Sequence, residues 1–67
     1  MNKELVTKRM KDEKITVSML CKELGIDDST YYRKMQNNGD DFSALDLLTF
    51  KRLLRLNDQE ALDFLLS

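Results

Sequence analysis

The 67-residue sequence has no proline, no histidine and no tryptophan, only two glycines and a single cysteine. One cysteine excludes an internal disulfide, and without histidine the chain has no plausible structural zinc site. A catalytic thiol needs a base to form its thiolate, and no histidine is there to serve Cys21. No glycine-rich phosphate loop is present. The adjacent carboxylates of Asp40 and Asp41 lack the alternating ligand spacing of a calcium loop. The expectation is therefore no enzyme, no metal and no cofactor. No run approaches the roughly 18 apolar residues of a membrane span. The opening Met-Asn-Lys-Glu lacks the make-up of a signal peptide, so a cytoplasmic chain without membrane contact is expected. Apolar content of 42% with five aromatics suits a single compact all-α domain over 1–67, its core built by packing alone.

The most informative stretch is TVSMLCKELGIDDSTYYRKMQ, residues 16–36. Thr16 is a good N-cap, and Val17, Leu20, Cys21 and Leu24 then form one apolar helical face. Gly25 supplies the left-handed backbone that stops a helix and turns the chain. Ile26 plugs the corner, Asp27 caps a second helix over about 28–37, and Tyr31 and Met35 pack it back on the first. This spacing predicts a helix-turn-helix over about 16–37.

The flanks predict three further helices. Asn2 caps the first, with Leu5, Val6 and Met10 as its apolar seam, and Ile15 pins the chain just before Thr16. Asn37-Asn38-Gly39-Asp40-Asp41 is the clearest loop. Ser43 and Asp46 form a capping pair, with Phe42 and Leu47 at the positions of a hydrophobic staple. Ala44, Leu47, Leu48 and Leu54 supply the apolar stripe of that fourth helix, and Asn57 with Glu60 opens a fifth.

LCKELGIDDSTYYRKM resembles the helix-turn-helix of phage repressor and Cro-like regulators, the xenobiotic-response-element type. The matching features are a small residue one turn before the glycine (Cys21), Gly25 itself, the aliphatic Ile26 and a buried position at Tyr31. The likeness extends from Leu5 to about Leu65. It implies a lambda-repressor-like five-helix DNA-binding domain acting as a transcriptional regulator, of phage or prophage type. Such a regulator places its recognition helix, about 28–37 here, in the major groove of a double-stranded operator.

On a helical wheel Asp28, Ser29, Tyr32, Arg33 and Gln36 share a face roughly a third of a turn or more from Tyr31 and Met35, and the resemblance makes them the candidate base contacts. Arg33 suits a bidentate contact to guanine and Gln36 one to adenine. Candidate phosphate contacts are Lys14, Thr16, Lys22, Thr30, Lys34, Asn37, Asn38 and Ser43. Leu62, Phe64, Leu65 and Leu66 are more apolar residues than one short helix buries, which makes them candidate contacts of a homodimer reading a palindrome. Charge leaves a second reading open. The net charge is −1 and the pI about 5.3. Residues 1–36 carry eight Lys/Arg against six Asp/Glu, whereas 37–67 carry three against six. Asp27 and Asp28 at the head of the recognition helix favour the alternative, an antirepressor or protein-interaction module that keeps the fold without DNA and pairs with a repressor or another protein.

Overall fold

The computed structural model describes the backbone of residues 1–66 and the side chains as far as Phe64. These residues form five helices and no strand: α1 (Lys3–Asp12), α2 (Val17–Leu24), α3 (Asp28–Gln36), α4 (Ala44–Leu53) and α5 (Asp58–Leu66). The radius of gyration is 10.7 Å, against about 11 Å for a compact chain of this length. No described helix is long and apolar enough to cross a membrane.

Every helix opens on a side-chain cap, because its first N–H groups have no partner within the helix. Asn2 accepts from the Leu5 amide at 3.1 Å, Thr16 from Met19 at 3.1 Å and Asp27 from Thr30 at 2.7 Å. Ser43 and Asp46 bond each other's amides reciprocally, both at 3.1 Å. Asn57 and Glu60 repeat that box at 3.1 and 2.8 Å.

The first four helices also stop in one way. In each, the chain takes a left-handed residue, at Lys14, Gly25, Asn38 and Arg55, with φ of 56°, 73°, 58° and 52°. The amide of the next residue then reaches back five positions, Ile15 to Met10 (2.8 Å), Ile26 to Cys21 (3.1 Å), Gly39 to Lys34 (2.9 Å) and Leu56 to Lys51 (3.0 Å). This is the Schellman pattern, which satisfies the last carbonyls and usually seats an apolar residue just past the turn. Ile15, Ile26 and Leu56 fill that role and pack on the core.

The core is Val6, Leu20, Cys21, Tyr31, Phe42, Phe50, Leu54, Leu56 and Phe64. An aromatic chain runs through it from α3 to α5. Tyr31 lies 6.4 Å from Phe42, Phe42 5.0 Å from Phe50, and Phe50 5.4 Å from Phe64, between ring centroids. Helix α2 packs on both α3 and α4, and α1 packs on α5. Arg9 fastens the far end: its guanidinium donates to the Leu54 and Arg55 carbonyls at 3.1 and 3.0 Å and pairs with Glu13 at 3.4 Å.

Two expectations about the apolar residues need correction. The stripe of α4 is centred on Phe50, which is fully buried, while Ala44 and Leu48 face solvent. The reason is that α4 carries apolar residues on more than one face, and the large ring takes the interior position. Phe64 is only 2% exposed, so it closes the core and is not a free dimer contact. Leu62 is half exposed. The side chains of Leu65 and Leu66 lie outside the described residues.

Candidate nucleic-acid interface

Helix α3 is held by one edge. Tyr31 is 4% exposed, with its hydroxyl 3.8 Å from Met10 Sδ, and Met35 packs beside the core four residues later. Burial pushes the Tyr31 phenol up to about 12. The adjoining face is open. Asp28, Ser29, Tyr32, Arg33 and Gln36 are all exposed, Tyr32 at 55%. The Tyr32 ring leans edge-on against Tyr31 at 5.6 Å, which limits how far it swings. Arg33 forms no ion pair among the described residues.

The head of α3 is more committed. Hydrogen bonds from Thr30, through both hydroxyl and amide, and from Ser29 hold the Asp27 carboxyl below the usual carboxylate range. The Ser29 hydroxyl donates to Asp27 at 3.1 Å. The Ser29 hydroxyl proton is therefore turned toward the cap. Burial first, then the neighbouring carboxylates of Asp28 and Asp27, push the Cys21 thiol of α2 up to about 11. The thiol stays protonated and tucked under the turn, 2% exposed.

The candidate phosphate ligands fall into two groups. Lys14 and Lys22 are exposed and have no carboxylate partner among the described residues, and Thr16 stands at the N-terminus of α2 with its oxygen accepting from Met19. The loop after α3 is knitted to itself. Lys34 donates to the Asp41 carbonyl at 3.2 Å, with its ammonium 5.5 Å above the Phe42 ring. Asn37 donates to the Asp41 carboxylate at 3.2 Å, and the Ser43 amide is used by Asp46. Asn38 is exposed in its left-handed turn. The Asp41 charge is thus partly occupied by its own loop.

Charge is sorted across the molecule in a way that sequence halves only hint at. The cations paired with carboxylates are Arg9, Lys51, Arg52 and Arg55. The remaining seven of the eleven, Lys3, Lys8, Lys11, Lys14, Lys22, Arg33 and Lys34, all belong to α1, α2, α3 or the turns between them. None has a carboxylate partner among the described residues. Two residues adjoining the α3 face were missed by sequence reasoning. A shallow depression of about 290 Å³ beside Tyr32 is walled by Lys3 and Thr7 of α1 together with Val17 and Met35. Their i, i+4 spacing on the outer face of α1 was the available signal. Among the described residues no cluster of histidine, cysteine, aspartate and glutamate is arranged to hold a metal ion.

Comparison of the chain with models of known protein families, with curated proteins and with solved structures finds no match.

Proposed function

We propose that the chain binds double-stranded DNA in a sequence-specific way and regulates transcription, as a repressor or Cro-like protein of phage or prophage type. The observation that carries this reading is α3. It has nine residues, hence about 13 Å of length, and is gripped along Tyr31 and Met35 while five polar or aromatic side chains face outward. A helix presented in this way fits a major groove about 12 Å wide. Arg33 is the first candidate for a base edge, since its guanidinium is free to make the two parallel bonds that guanine offers. Gln36, one turn later, serves adenine in the same manner. The unpaired lysines around α1 and α2 supply phosphate contacts, which set affinity and register but not sequence.

The test is selection of bound sequences from a random duplex library at low salt, with Arg33→Ala alongside. Enrichment of a motif that Arg33→Ala relaxes at one base pair, with a loss of about 1–3 kcal/mol in binding, supports the reading. A folded, helical protein that enriches nothing refutes it. The second reading, a protein-interaction module that pairs with a repressor or another protein, is favoured by the carboxylates of Asp27 and Asp28 at the head of α3, where a phosphate backbone is repelled.

A further inference from the structure

Small residues on two neighbouring helices open a groove. Ala44 and Leu48 of α4 line it from one side, Ala61 and Phe64 of α5 from the other, leaving a space of about 260 Å³. A second depression, of about 190 Å³, shares Leu47 and Phe64 as walls and reaches Asp40. On the two helices Leu45 is 76% exposed, Leu48 60% and Leu62 50%. Large apolar side chains clustered beside an open groove mark an interaction surface, whereas scattered ones do not.

Charge narrows what fits there. Helices α4 and α5 carry Asp46, Asp58, Glu60 and Asp63 against Lys51 and Arg52. Neither cation is left for a ligand. Arg52 is drawn to Glu23 of α2 at 3.4 Å, and Lys51 is held by Asp58 at 2.7 Å. The Asp58 side chain is still 94% exposed, and Asp40 makes no ion pair among the described residues. A second copy brings the same carboxylates against themselves, and an anionic lipid surface is repelled likewise. From Ala44 to Lys51 the α4 wall runs two turns, about 10 Å, which matches apolar anchors at i, i+3 or i+4, and i+7 of a docked helix. We propose that the groove receives a basic amphipathic helix of another protein, its apolar anchors between α4 and α5 and its lysines or arginines over Asp40 and Asp58. The groove shares no wall with the exposed face of α3. The inference therefore goes beyond the DNA-binding reading, and it is tested without nucleic acid so that either can fail alone.

The probe is a synthetic peptide of about 14 residues, leucine and lysine only, patterned so that one helical face is apolar. Two comparators share its length: leucine and glutamate in the same pattern, and leucine and lysine in an order that leaves no apolar face. Fluorescence anisotropy of each labelled peptide is followed on titration with the full chain at low salt. The first peptide is expected to bind at least about tenfold more tightly than either comparator. In the amide spectrum of the isotope-labelled chain, the shifts it causes should gather on α4 and α5. Leu48→Gln should weaken binding about tenfold or more, with the far-ultraviolet circular dichroism unchanged because Leu48 is exposed. Asp40→Asn should weaken it about two- to fivefold. Comparators that bind as tightly, shifts that gather on α1 or α3, or binding indifferent to either substitution would overturn the proposal. So would a chain that sediments at twice 7.9 kDa and takes up no peptide, since a second copy then covers the groove.

Discussion

The recurrent left-handed turn makes a prediction of opposite sign at two positions. Gly25 and Lys14 hold nearly the same backbone, φ 73° and 56°, at equivalent places in the same capping motif. An L-residue in this conformation meets a steric cost of about 1–2 kcal/mol between Cβ and the carbonyl oxygen. Glycine escapes that cost but restricts more freedom on folding, by about 0.5–1 kcal/mol. Gly25→Ala is unusually clean, because a Cβ built there has nothing within 4 Å. Its effect is therefore backbone strain less the entropic gain, a net loss of about 1 kcal/mol. Lys14→Gly runs the other way, and Lys14 makes no ion pair among the described residues, so stability should rise by about 0.5–1 kcal/mol. The assay is urea unfolding followed by circular dichroism. With a slope near 1 kcal/mol/M for so small a domain, Gly25→Ala should lower the midpoint by about 1 M and Lys14→Gly should raise it, at unchanged slope. A midpoint that Gly25→Ala leaves in place, or that Lys14→Gly lowers, would refute the reasoning.

Alkaline stability should fall in a defined window. Cys21 and Tyr31 keep their protons in the folded chain to about 11 and 12, against ordinary values of 9.0 and 10.0. Above pH about 9 the native state therefore binds more protons than the unfolded one, so stability is complete below that pH and is lost as pH rises through the folded values. The loss at Cys21 is measurable as a fall of the urea midpoint with rising pH. Cys21→Ala should flatten its lower part, and a midpoint constant from pH 8 to 11 contradicts the burial argument. At the candidate interface, Asp28→Asn removes a negative charge from the head of α3 at nearly unchanged size. It should tighten DNA binding several-fold in a titration at low salt, and weaker binding would show that Asp28 accepts from a base.

Helix ends were the most legible part of the sequence, because capping is local chemistry. Thr16, Asp27, Ser43 with Asp46, and Asn57 with Glu60 each bond an amide within three residues, so the short-range pattern determines the outcome. Gly25 was equally plain, whereas Lys14 and Arg55 adopt the same turn without a glycine to announce it. The interior of α4 was not legible. Its apolar residues at Ala44, Leu45, Leu47, Leu48, Phe50, Leu53 and Leu54 surround much of the helix, so periodicity leaves open which of them turns inward. That choice is made by Phe42 and Phe64, whose rings flank Phe50. For the same reason Phe64 could be taken for a surface contact. At the candidate interface the exposed face of α3 followed from a simple wheel. The internal bonds of Ser29, Thr30 and Lys34 did not, since they depend on which neighbour each side chain finds in space.

Net charge is a poor guide to what this surface can attract. A total of −1 suggests indifference to a polyanion, but a sum over the chain ignores where charges are neutralised. Arg9, Arg52 and Arg55 are tied to Glu13 and Glu23, and Lys51 to Asp58, so these cations contribute little field beyond their own pairs. The lysines of α1 and α2, with Arg33, have no such partners among the described residues. Over a Debye length of about 10 Å such local imbalance outweighs the distant acidic residues of α5. The ion pairs that fasten α4 and α5 to the rest of the chain thus have a second effect. By using up the cations of the C-terminal half, they leave the cations that have no carboxylate partner among the described residues on the side that carries α3.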